Sequence, residues 1–336
     1  MKDSVFIIGL GRMGERYLRI IKKMKINLIG IYDKNKKKVD EIENKYKIEK
    51  SKLFYNLKNF PQVKPKFLII STTAESHFNL IKLCSKVGVK NVMVEKPLAT
   101  SIKECNEILK ISKKNKIKIC VNHAGRFSNQ ISYLKNIIMS KKLGNLNSLN
   151  YLCGNIGITM NGSHFFDIFN YLTGSDVIKV MSFIKRDKNV NPRGKKFLEY
   201  NGQILSWNKN GARGYIDASE ENHHGQTLTC IFDFGIIHID LFTGLLSLNY
   251  RKSKYKNKSS NQYALPYYKK TIRIKIDNVI TMTKRNLKNF IKGKGFVNLK
   301  DGIKPIITLI AAITSSEKKK IIHLKKIKNS KKYKWA

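Results

Sequence analysis

Three glycines near the beginning of the chain have the spacing of a dinucleotide-binding turn. The stretch from Gly9 to Gly14 reads GLGRMG; it follows the apolar run VFII (5–8) and leads into a pattern with helical spacing. In such a turn Gly9 reverses the chain, Gly11 lets the main chain approach a pyrophosphate, and Gly14 lets the helix pack closely on the strand. The free amides at the helix start would hold the phosphates. The predicted cofactor-binding residues of this turn are Gly9, Leu10, Gly11, Arg12, Met13 and Gly14.

A carboxylate follows at the position where a ribose would lie. Asp33 ends the next apolar run (26–32), 19 residues after Gly14, close to the spacing of about 20 residues found in dinucleotide-binding domains. A carboxylate there accepts hydrogen bonds from both ribose hydroxyls and repels a 2′-phosphate, which favours NAD over NADP. Two alternatives stay open: Asp33 as a turn residue at a strand end, and NADP, whose phosphate the lysines among residues 34–38 would tolerate.

Lys96 is the first candidate for proton chemistry. It stands in the sequence Glu95-Lys96-Pro97, directly after the apolar run 91–94. Ligands of a doubly wound sheet bind beyond the carboxyl ends of the strands, so Lys96 is predicted to reach the same crevice as the glycine turn. An ammonium group there can hold and release a proton. As one of many lysines it is unremarkable; its place at a strand end distinguishes it.

The strongly basic composition does not require a polyanionic partner. The chain has 336 residues and a net charge of +43, and its lysines extend from Lys2 to Lys334. They accompany abundant Ile, Asn, Tyr and Phe, as expected of A/T-rich codons. A nucleic-acid-binding protein would more often concentrate arginine on one face together with stacking aromatic residues. We therefore expect a small-molecule ligand and no nucleic acid, although the charge would attract anionic substrates.

Cysteine usage and hydropathy predict a cytoplasmic protein. The five cysteines form no C-x-x-C pair, so buried thiols in a reducing compartment are expected. No stretch approaches the roughly 18 apolar residues of a membrane span, and the short N-terminal apolar run leads straight into the glycine turn. The pair His223-His224 has the character of polar loop residues, and the nearby Glu220 and Glu221 leave a metal site open as the alternative. We expect no membrane contact and no metal.

The periodicity of the chain changes near residue 122. Up to that point strand-like and helical patterns alternate, with strands predicted at 5–8, 26–32, 66–71, 91–95 and 116–121. This alternation predicts a parallel sheet with helices on both faces. Ser101 and Glu104 have the spacing of a capping box, in which each side chain satisfies the other's free amide.

The second part alternates apolar and polar residues in short runs, which is typical of an antiparallel sheet. Strands are predicted at 147–154, 177–186, 202–207, 227–234 and 235–245, helices at 163–172 and 301–317, and loops at 187–196 and 251–261. The predicted fold class is α/β: a doubly wound Rossmann domain (1–122) followed by a C-terminal α/β domain (123–336) with a large, mostly antiparallel open sheet.

Along nearly its whole length the chain resembles the family of glucose-fructose oxidoreductase, inositol dehydrogenase and the rhizopine-catabolism oxidoreductases. The matching segments are GLGRMG (9–14), ISTTAESHFNLI (70–81), VMVEKPLA (92–99), VNHAGRF (121–127), GSHFFDIFNYLTG (162–174) and DGIKPIITLIAAITSSEKKK (301–320). The resemblance implies an NAD(P)-dependent hydride transfer at a carbinol carbon of a sugar, sugar acid or nucleotide-sugar. It also implies a homodimer or homotetramer, because the open sheet of this family often serves oligomer contacts.

The resemblance assigns roles residue by residue. Lys96 matches the lysine that hydrogen-bonds the reacting hydroxyl or carbonyl, and His164 matches a general acid or base, since histidine titrates near neutrality. Asp167 follows on the same helix face, as a substrate ligand or a structural carboxylate. The remaining predicted cofactor contacts are Thr72, His77, Glu95 and Lys96; the predicted substrate contacts are Lys96, Arg126, Asn161, His164 and Asp167. For His77 and Arg126 a role in holding the fold stays open as the alternative.

One position departs from the family pattern. Four residues before His164 the family usually has an aspartate, and this chain has Met160, whose thioether cannot accept a strong hydrogen bond. Asn155, Asn161 or Ser163 are alternative partners for a substrate hydroxyl. The departure leaves open a second function, a non-catalytic NAD-binding sensor or regulator of the same fold.

Overall fold

The structure divides the chain into two units. The computed structural model describes residues 3–58, 60, 64–154, 156–187, 191, 194, 196–255, 258, 267–327 and 331–334. The first unit draws on Met1–Ala124, Val279–Ile306 and Asn329–Ala336, and the second on Gly125–Asn278 and Ile307–Lys328. Two later segments thus return to the first unit. The division of function at residue 122 stays a prediction.

Eight helices lie within the described residues. They are α1 (Arg12–Met24), α2 (Lys36–Tyr46), α3 (Ala74–Lys86), α4 (Ile102–Lys114), α5 (Asn129–Ser140), α6 (Ile158–Thr173), α7 (Val279–Ile291) and α8 (Leu299–Lys318). In the part of the chain that the structure describes, none of them is sufficiently long and apolar to cross a membrane.

The first unit is built around a six-stranded parallel sheet. Its strands are β1 (Ser4–Ile8), β2 (Asn27–Tyr32), β3 (Leu53–Phe54), β4 (Phe67–Ile70), β5 (Asn91–Val94) and β6 (Lys118–Val121). They lie in the order β3-β2-β1-β4-β5-β6, and every neighbouring pair is parallel. This is the strand order of a Rossmann sheet, in which the order reverses between β1 and β4. The predicted fold of this part is confirmed.

The sheet positions the residues of interest by burying its strands on both faces. Phe6, Ile7 and Ile8 of β1 are at most 1% exposed, and Val5 and Ile7 pack in one cluster with apolar residues of α1, α2 and α7. Such continuous apolar strands are typical of parallel sheets. The glycine turn therefore follows directly from a strand held rigidly in the core.

The second unit contains a nine-stranded sheet. Its strands are β7 (Leu146–Leu152), β8 (Val177–Arg186), β9 (Tyr200–Asn208), β10 (Arg213–Ala218), β11 (Thr227–Phe232), β12 (Gly235–Asp240), β13 (Leu245–Tyr250), β14 (Tyr268–Arg273) and β15 (Ile322–His323). The order is β14-β13-β12-β11-β7-β10-β9-β8-β15. Only the pair β7 and β10 is parallel; the other pairs among these strands are antiparallel. The predicted large, mostly antiparallel sheet is confirmed.

Several element boundaries differ from the sequence prediction. The run 235–245 is not one strand: β12 ends at Asp240 and β13 begins at Leu245, because the chain turns through Gly244 with φ +71°. Helix α6 begins at Ile158, five residues before the predicted start. Helices α5 and α7 were not predicted. The predicted loops 187–196 and 251–261 lie partly outside the described residues.

The capping box of α4 forms only in part. The Ser101 hydroxyl accepts a hydrogen bond from the Glu104 N–H (3.2 Å), as predicted. The Glu104 carboxylate, however, accepts from the N–H of Thr100 (3.0 Å) and from its hydroxyl (2.8 Å). It thereby fixes the residue before the cap, and Lys332 pairs with its other oxygen (2.7 Å).

Candidate active site: a nucleotide half and a substrate half

The turn after β1 has the geometry that its glycines predict. Gly9 has φ +94°, a conformation that side-chain-bearing residues rarely adopt, and a Cβ there would lie 2.8 Å from Thr72. The Gly9 N–H donates to the carbonyl oxygen of Tyr32 (2.8 Å), and its own carbonyl oxygen accepts from the Ser71 hydroxyl (2.7 Å). The turn is thereby fixed to the ends of β2 and β4, the strands on either side of β1.

Gly14 and Gly11 serve opposite purposes. A Cβ at position 14 would overlap the carbonyl oxygen of Gly9, whereas a Cβ at position 11 would meet nothing within 4 Å. Gly14 therefore allows α1 to pack against the turn, and Gly11 leaves open space in front of it. Because Gly11 is the N-cap of α1 and makes no side-chain cap bond, the first amides of the helix face that space without a side-chain acceptor. A diphosphate fits this cradle.

Asp33 lies at the end of β2 beside the glycine turn. Its Oδ2 accepts a hydrogen bond from the Leu10 N–H (2.7 Å) and its Oδ1 from the Asn35 N–H (2.9 Å). Each carboxylate oxygen keeps a second lone pair for a ribose hydroxyl. Lys34 and Lys36, which follow it, are exposed. The residues present therefore fit an adenosine ribose, and the preference between NAD and NADP stays a prediction.

His77 braces the turn that carries Lys96. The imidazole is completely buried; its Nδ1 lies 3.0 Å from the carbonyl oxygen of Pro97 and 3.3 Å from that of Leu98, and its Nε2 lies 3.1 Å from that of Thr72. Burial lowers the pKa of His77 to about 4. Its contacts join the end of β4 to the segment after half-buried Lys96, which supports the alternative that His77 holds the fold; its contact with a cofactor stays a prediction.

Glu95 is also an interior residue. It is 7% exposed, and its Oε1 accepts hydrogen bonds from the Tyr17 hydroxyl (2.8 Å) and the Asn122 amide (2.7 Å). Asn122 in turn lies 3.3 Å from the Thr283 hydroxyl on α7. Burial raises the pKa of Glu95, while the hydrogen bonds from Asn122 and Tyr17 act in the opposite direction. These hydrogen bonds therefore anchor Glu95, and with it the backbone directly before Lys96, a role that sequence reasoning did not find; contact of Glu95 with a cofactor stays a prediction.

The predicted substrate contacts of the second unit lie on and around α6, and we call this group of residues the substrate half. Met160, Asn161 and His164 lie on its half-buried side. A Cβ at Gly125 would lie 4.0 Å from Nδ1 of His164 and 3.3 Å from Ile168, so the turn at residues 124–127 passes close to the imidazole.

Arg126 and Asp167 form a buried ion pair within this half. The guanidinium donates from Nε to Oδ2 (2.9 Å) and from Nη2 to Oδ1, and the side chains are 10% and 1% exposed. The guanidinium carbon also lies 5.0 Å from the centre of the Tyr171 ring. Both residues were predicted to contact the substrate; the geometry makes them a link between the 124–127 turn and α6, which supports the alternative structural role of Asp167.

The remaining polar candidates of this unit are Asn161, Ser163 and Asn155. The Asn161 amide donates to the carbonyl oxygen of Ile156 (2.5 Å). Ser163 is 1% exposed, and its hydroxyl has no hydrogen-bond partner among the described residues. Asn155 lies outside the described residues. Within the described ranges no three His, Cys, Asp or Glu side chains are arranged to hold a metal ion.

Comparison with known proteins identifies the first unit. Residues 4–123 match the Gfo/Idh/MocA profile, described as the oxidoreductase family with an NAD-binding Rossmann fold. The chain is 25% identical over 237 residues to the uncharacterized oxidoreductase YrbE of Bacillus subtilis, covering 65% of this chain and 67% of that protein. It is 24% identical over 236 residues to myo-inositol 2-dehydrogenase of Thermotoga maritima, covering 65% and 69%.

Solved structures share the fold over the whole chain. An oxidoreductase from Agrobacterium radiobacter, in complex with NAD+, L-tartaric acid and magnesium, has a TM-score of 0.81 at 17% identity, covering 97% of this chain and 99% of that one. Levoglucosan dehydrogenase, in complex with NADH and levoglucosan, also has a TM-score of 0.81, at 15% identity; the match covers 96% of this chain and 100% of that one. The transcriptional regulator Gal80p from Kluyveromyces lactis has a TM-score of 0.76, at 16% identity; the match covers 97% of this chain and 95% of that one.

At these identities the solved structures establish the fold alone, whereas the profile match and the two curated relatives also bear on the family. The glycine turn, Asp33 and the strand order of the first unit agree with that match. Residues 4–123 of the chain therefore match the model of the Gfo/Idh/MocA oxidoreductase family, described by its NAD-binding Rossmann fold.

Proposed function

We propose that the protein is an NAD-dependent dehydrogenase or reductase that moves a hydride to or from a carbinol carbon of a sugar-type substrate. The observation that carries the proposal is the glycine turn, whose open face at Gly11 adjoins the uncapped start of α1, in a chain that also has Lys96 at a strand end. We propose further that residues 1–122 bind the cofactor and that residues 123–336 bind the substrate.

In the first unit the main chain carries most of the binding. The amides at the start of α1 hold the diphosphate, and Asp33 accepts hydrogen bonds from the adenosine ribose. A bound nicotinamide supplies the hydride acceptor or donor. Lys96 donates a hydrogen bond from Nζ to the substrate oxygen and stabilises the charge that develops on it. His77 and Glu95 hold the residues on either side of Lys96, so its reach is fixed by the fold.

In the second unit His164 manages the hydroxyl proton. Its imidazole takes the proton from the substrate hydroxyl at one ring nitrogen during oxidation and returns it during reduction. Because Met160 cannot accept a strong hydrogen bond, the basicity of His164 is not raised by a carboxylate at that position.

The ion pair of Arg126 with Asp167 favours uncharged substrates. The guanidinium already has a bidentate carboxylate partner and is 10% exposed, and removing one partner from a buried pair is costly. A substrate carboxylate or phosphate would have to compete with Asp167 for it. Among sugars, sugar acids and nucleotide-sugars we therefore place neutral sugars and cyclitols first. The myo-inositol and levoglucosan named for two similar proteins belong to this class.

We also propose that the protein is a homo-oligomer that pairs through the open face of the nine-stranded sheet. Phe183 is 62% exposed and Leu205 39% exposed, and both alternate with inward-facing residues of β8 and β9. Light scattering of the purified protein would measure the mass. A dimer or tetramer that dissociates in Phe183→Lys supports this interface, and a wild-type monomer contradicts it.

A non-catalytic regulator is the second candidate. It is favoured by Met160, and the likeness to Gal80p shows that this fold occurs in a transcriptional regulator. Such a protein would bind NADH without turning over a substrate.

Absorbance of reduced nicotinamide separates the two functions. The wild type is incubated with NAD and a panel of neutral sugars, cyclitols, sugar acids and nucleotide-sugars, beside Lys96→Met and His164→Asn. Turnover by the wild type, lost in both variants with NADH binding intact, supports the dehydrogenase. Tight NADH binding without turnover on any member of the panel supports the regulator.

A further inference from the structure

A buried carboxylate, Glu199, meets the first turn of the helix that carries His164. Glu199 is 6% exposed and lies just before β9. Its Oε1 accepts hydrogen bonds from the N–H of Thr159 (2.6 Å) and the N–H of Tyr200 (3.0 Å). The Thr159 hydroxyl lies between this oxygen and the carbonyl oxygen of Leu198, and the Asn191 amide donates to Oε2 (3.3 Å).

Helix α6 has no cap of its own. Its N-cap residue is Gly157, which makes no side-chain cap bond, and its first turn contains no acidic residue. The first four amides of a helix lack partners within the helix, and a negative charge beside them is favourable because of the helix dipole. Glu199, 40 residues after Thr159 in the chain, supplies both the acceptor and the charge.

The fit between the carboxylate and the turn is close. Gly157 has φ +75°, and a Cβ there would overlap the Glu199 carboxyl group. The same turn is closed by Asn161, whose N–H donates to the carbonyl oxygen of Gly157 (3.2 Å) and whose amide donates to that of Ile156. Burial raises the pKa of Glu199, and the hydrogen bonds from Thr159 and the Tyr200 N–H oppose this shift. The carboxylate is thus held by several specific donors.

Two buried interactions therefore fix α6 on either side of His164. Glu199 holds the helix at Thr159, and Arg126 holds it at Asp167. His164 lies between these two points, with its Nδ1 close to Gly125. Release of the first turn would free the backbone up to the histidine, and a displacement of about 1 Å of a reacting group can cost about 100-fold in rate.

We propose that Glu199 is a positioning residue for His164: by capping α6 from β9 it sets the place of the imidazole relative to the substrate hydroxyl. The proposal rests on the proposed function, because it assigns His164 to proton transfer. A positioning role differs from a purely structural role because loss of the positioning residue lowers kcat in protein that is still folded.

The test compares Glu199→Gln with Asp233→Asn. Gln keeps the size and one acceptor oxygen but removes the charge and presents an NH₂ group to the donors. Asp233 is an exposed control in the same unit: its carboxylate also accepts from a main-chain N–H, that of Asn145 (2.7 Å), and its other hydrogen bonds are to the side chains of Asn145 and Asn147. For each protein, kcat, KM, the Kd of NADH, and amide hydrogen exchange across residues 158–164 are measured under conditions in which circular dichroism shows the folded state.

We expect Glu199→Gln to lower kcat by about 10- to 100-fold, to increase exchange in the first turn of α6, and to leave the Kd of NADH within about twofold. Asp233→Asn should leave kcat and this exchange unchanged. Faster exchange with an unchanged kcat in Glu199→Gln overturns the positioning role and leaves the proposed function intact. Absence of turnover in the wild type, with NADH bound, overturns the proposed function and the positioning role together.

Discussion

Breaking the Arg126–Asp167 pair is predicted to destabilise the second unit far more than breaking a surface ion pair. The reason is burial: Asp167 is 1% exposed and Arg126 10% exposed, so neither charge regains full hydration when its partner is removed. Loss of one member of a buried pair costs about 3–5 kcal/mol, whereas replacement of both by apolar residues is often nearly neutral. Arg126→Met and Asp167→Leu should therefore each lower the free energy of unfolding by about 3–5 kcal/mol.

The double variant should therefore be much more stable than the sum of the single changes predicts. We expect a coupling energy of at least about 3 kcal/mol. The exposed pair Lys185–Glu220, whose side chains are 60% and 26% exposed, is the matched control in the same unit; surface pairs contribute about 0–1 kcal/mol.

Urea unfolding measures both cycles. Trp207 on β9 reports on the second unit, and Trp335→Phe removes the other tryptophan, which lies outside the described residues. A coupling energy below about 1 kcal/mol for Arg126 and Asp167, together with a raised KM in Arg126→Met, would refute the structural assignment and return Arg126 to the substrate site.

Three further predictions concern the first unit. First, burial lowers the pKa of His77 from 6.5 to about 4, so between these pH values the unfolded chain binds a proton that the folded protein does not. The free energy of unfolding should therefore fall by about 3 kcal/mol as the pH drops from 6.5 to 4. Urea unfolding at pH 6.5 and pH 4 should show a smaller fall in His77→Gln than in the wild type. Second, Gly14→Ala should unfold at a clearly lower temperature than the wild type, because the added Cβ overlaps the Gly9 carbonyl oxygen. Gly11→Ala, whose Cβ meets nothing within 4 Å, should keep the wild-type melting temperature and bind NADH more weakly. Equal melting temperatures of the two variants would contradict the packing role of Gly14. Third, Asp33→Asn should weaken NADH binding and bring the Kd values of NADH and NADPH closer together in paired fluorescence titrations. An unchanged ratio of these two Kd values would contradict a role of Asp33 at the ribose.

The nucleotide half was predictable because its constraints are local. Gly9, Gly11 and Gly14 lie within six residues, and each has a steric reason that depends only on a strand, a turn and a helix in succession. The strand-end position of Lys96 follows from the same alternation. Even here, motif position did not reveal that polar atoms of His77 face main-chain carbonyl oxygens or that Glu95 binds the Tyr17 hydroxyl; contact of either residue with a cofactor stays a prediction.

The substrate half depends on contacts between distant residues. Arg126 and Asp167 are 41 residues apart, and Thr159 and Glu199 are 40 apart; no local pattern relates the members of either pair. Helix α7 was missed for a similar reason, since its polar residues Thr283 and Asn286 are completely buried through hydrogen bonds to Asn122. Helix α5, by contrast, carried a readable signal: Ser128 caps it through the N–H of Ile131, and its buried Ile131, Leu134 and Ile138 have helical spacing.

Direct observation of the transferred hydrogen tests the central claim. The protein is incubated with NAD and a panel of carbon-deuterated sugars and cyclitols, and the recovered NADH is examined for deuterium by mass spectrometry, with Lys96→Met as the control. We predict deuterium in the NADH formed by the wild type and none with the variant, although the variant still binds NADH. NADH without deuterium, or no NADH from any member of the panel, would contradict hydride transfer from a carbinol carbon.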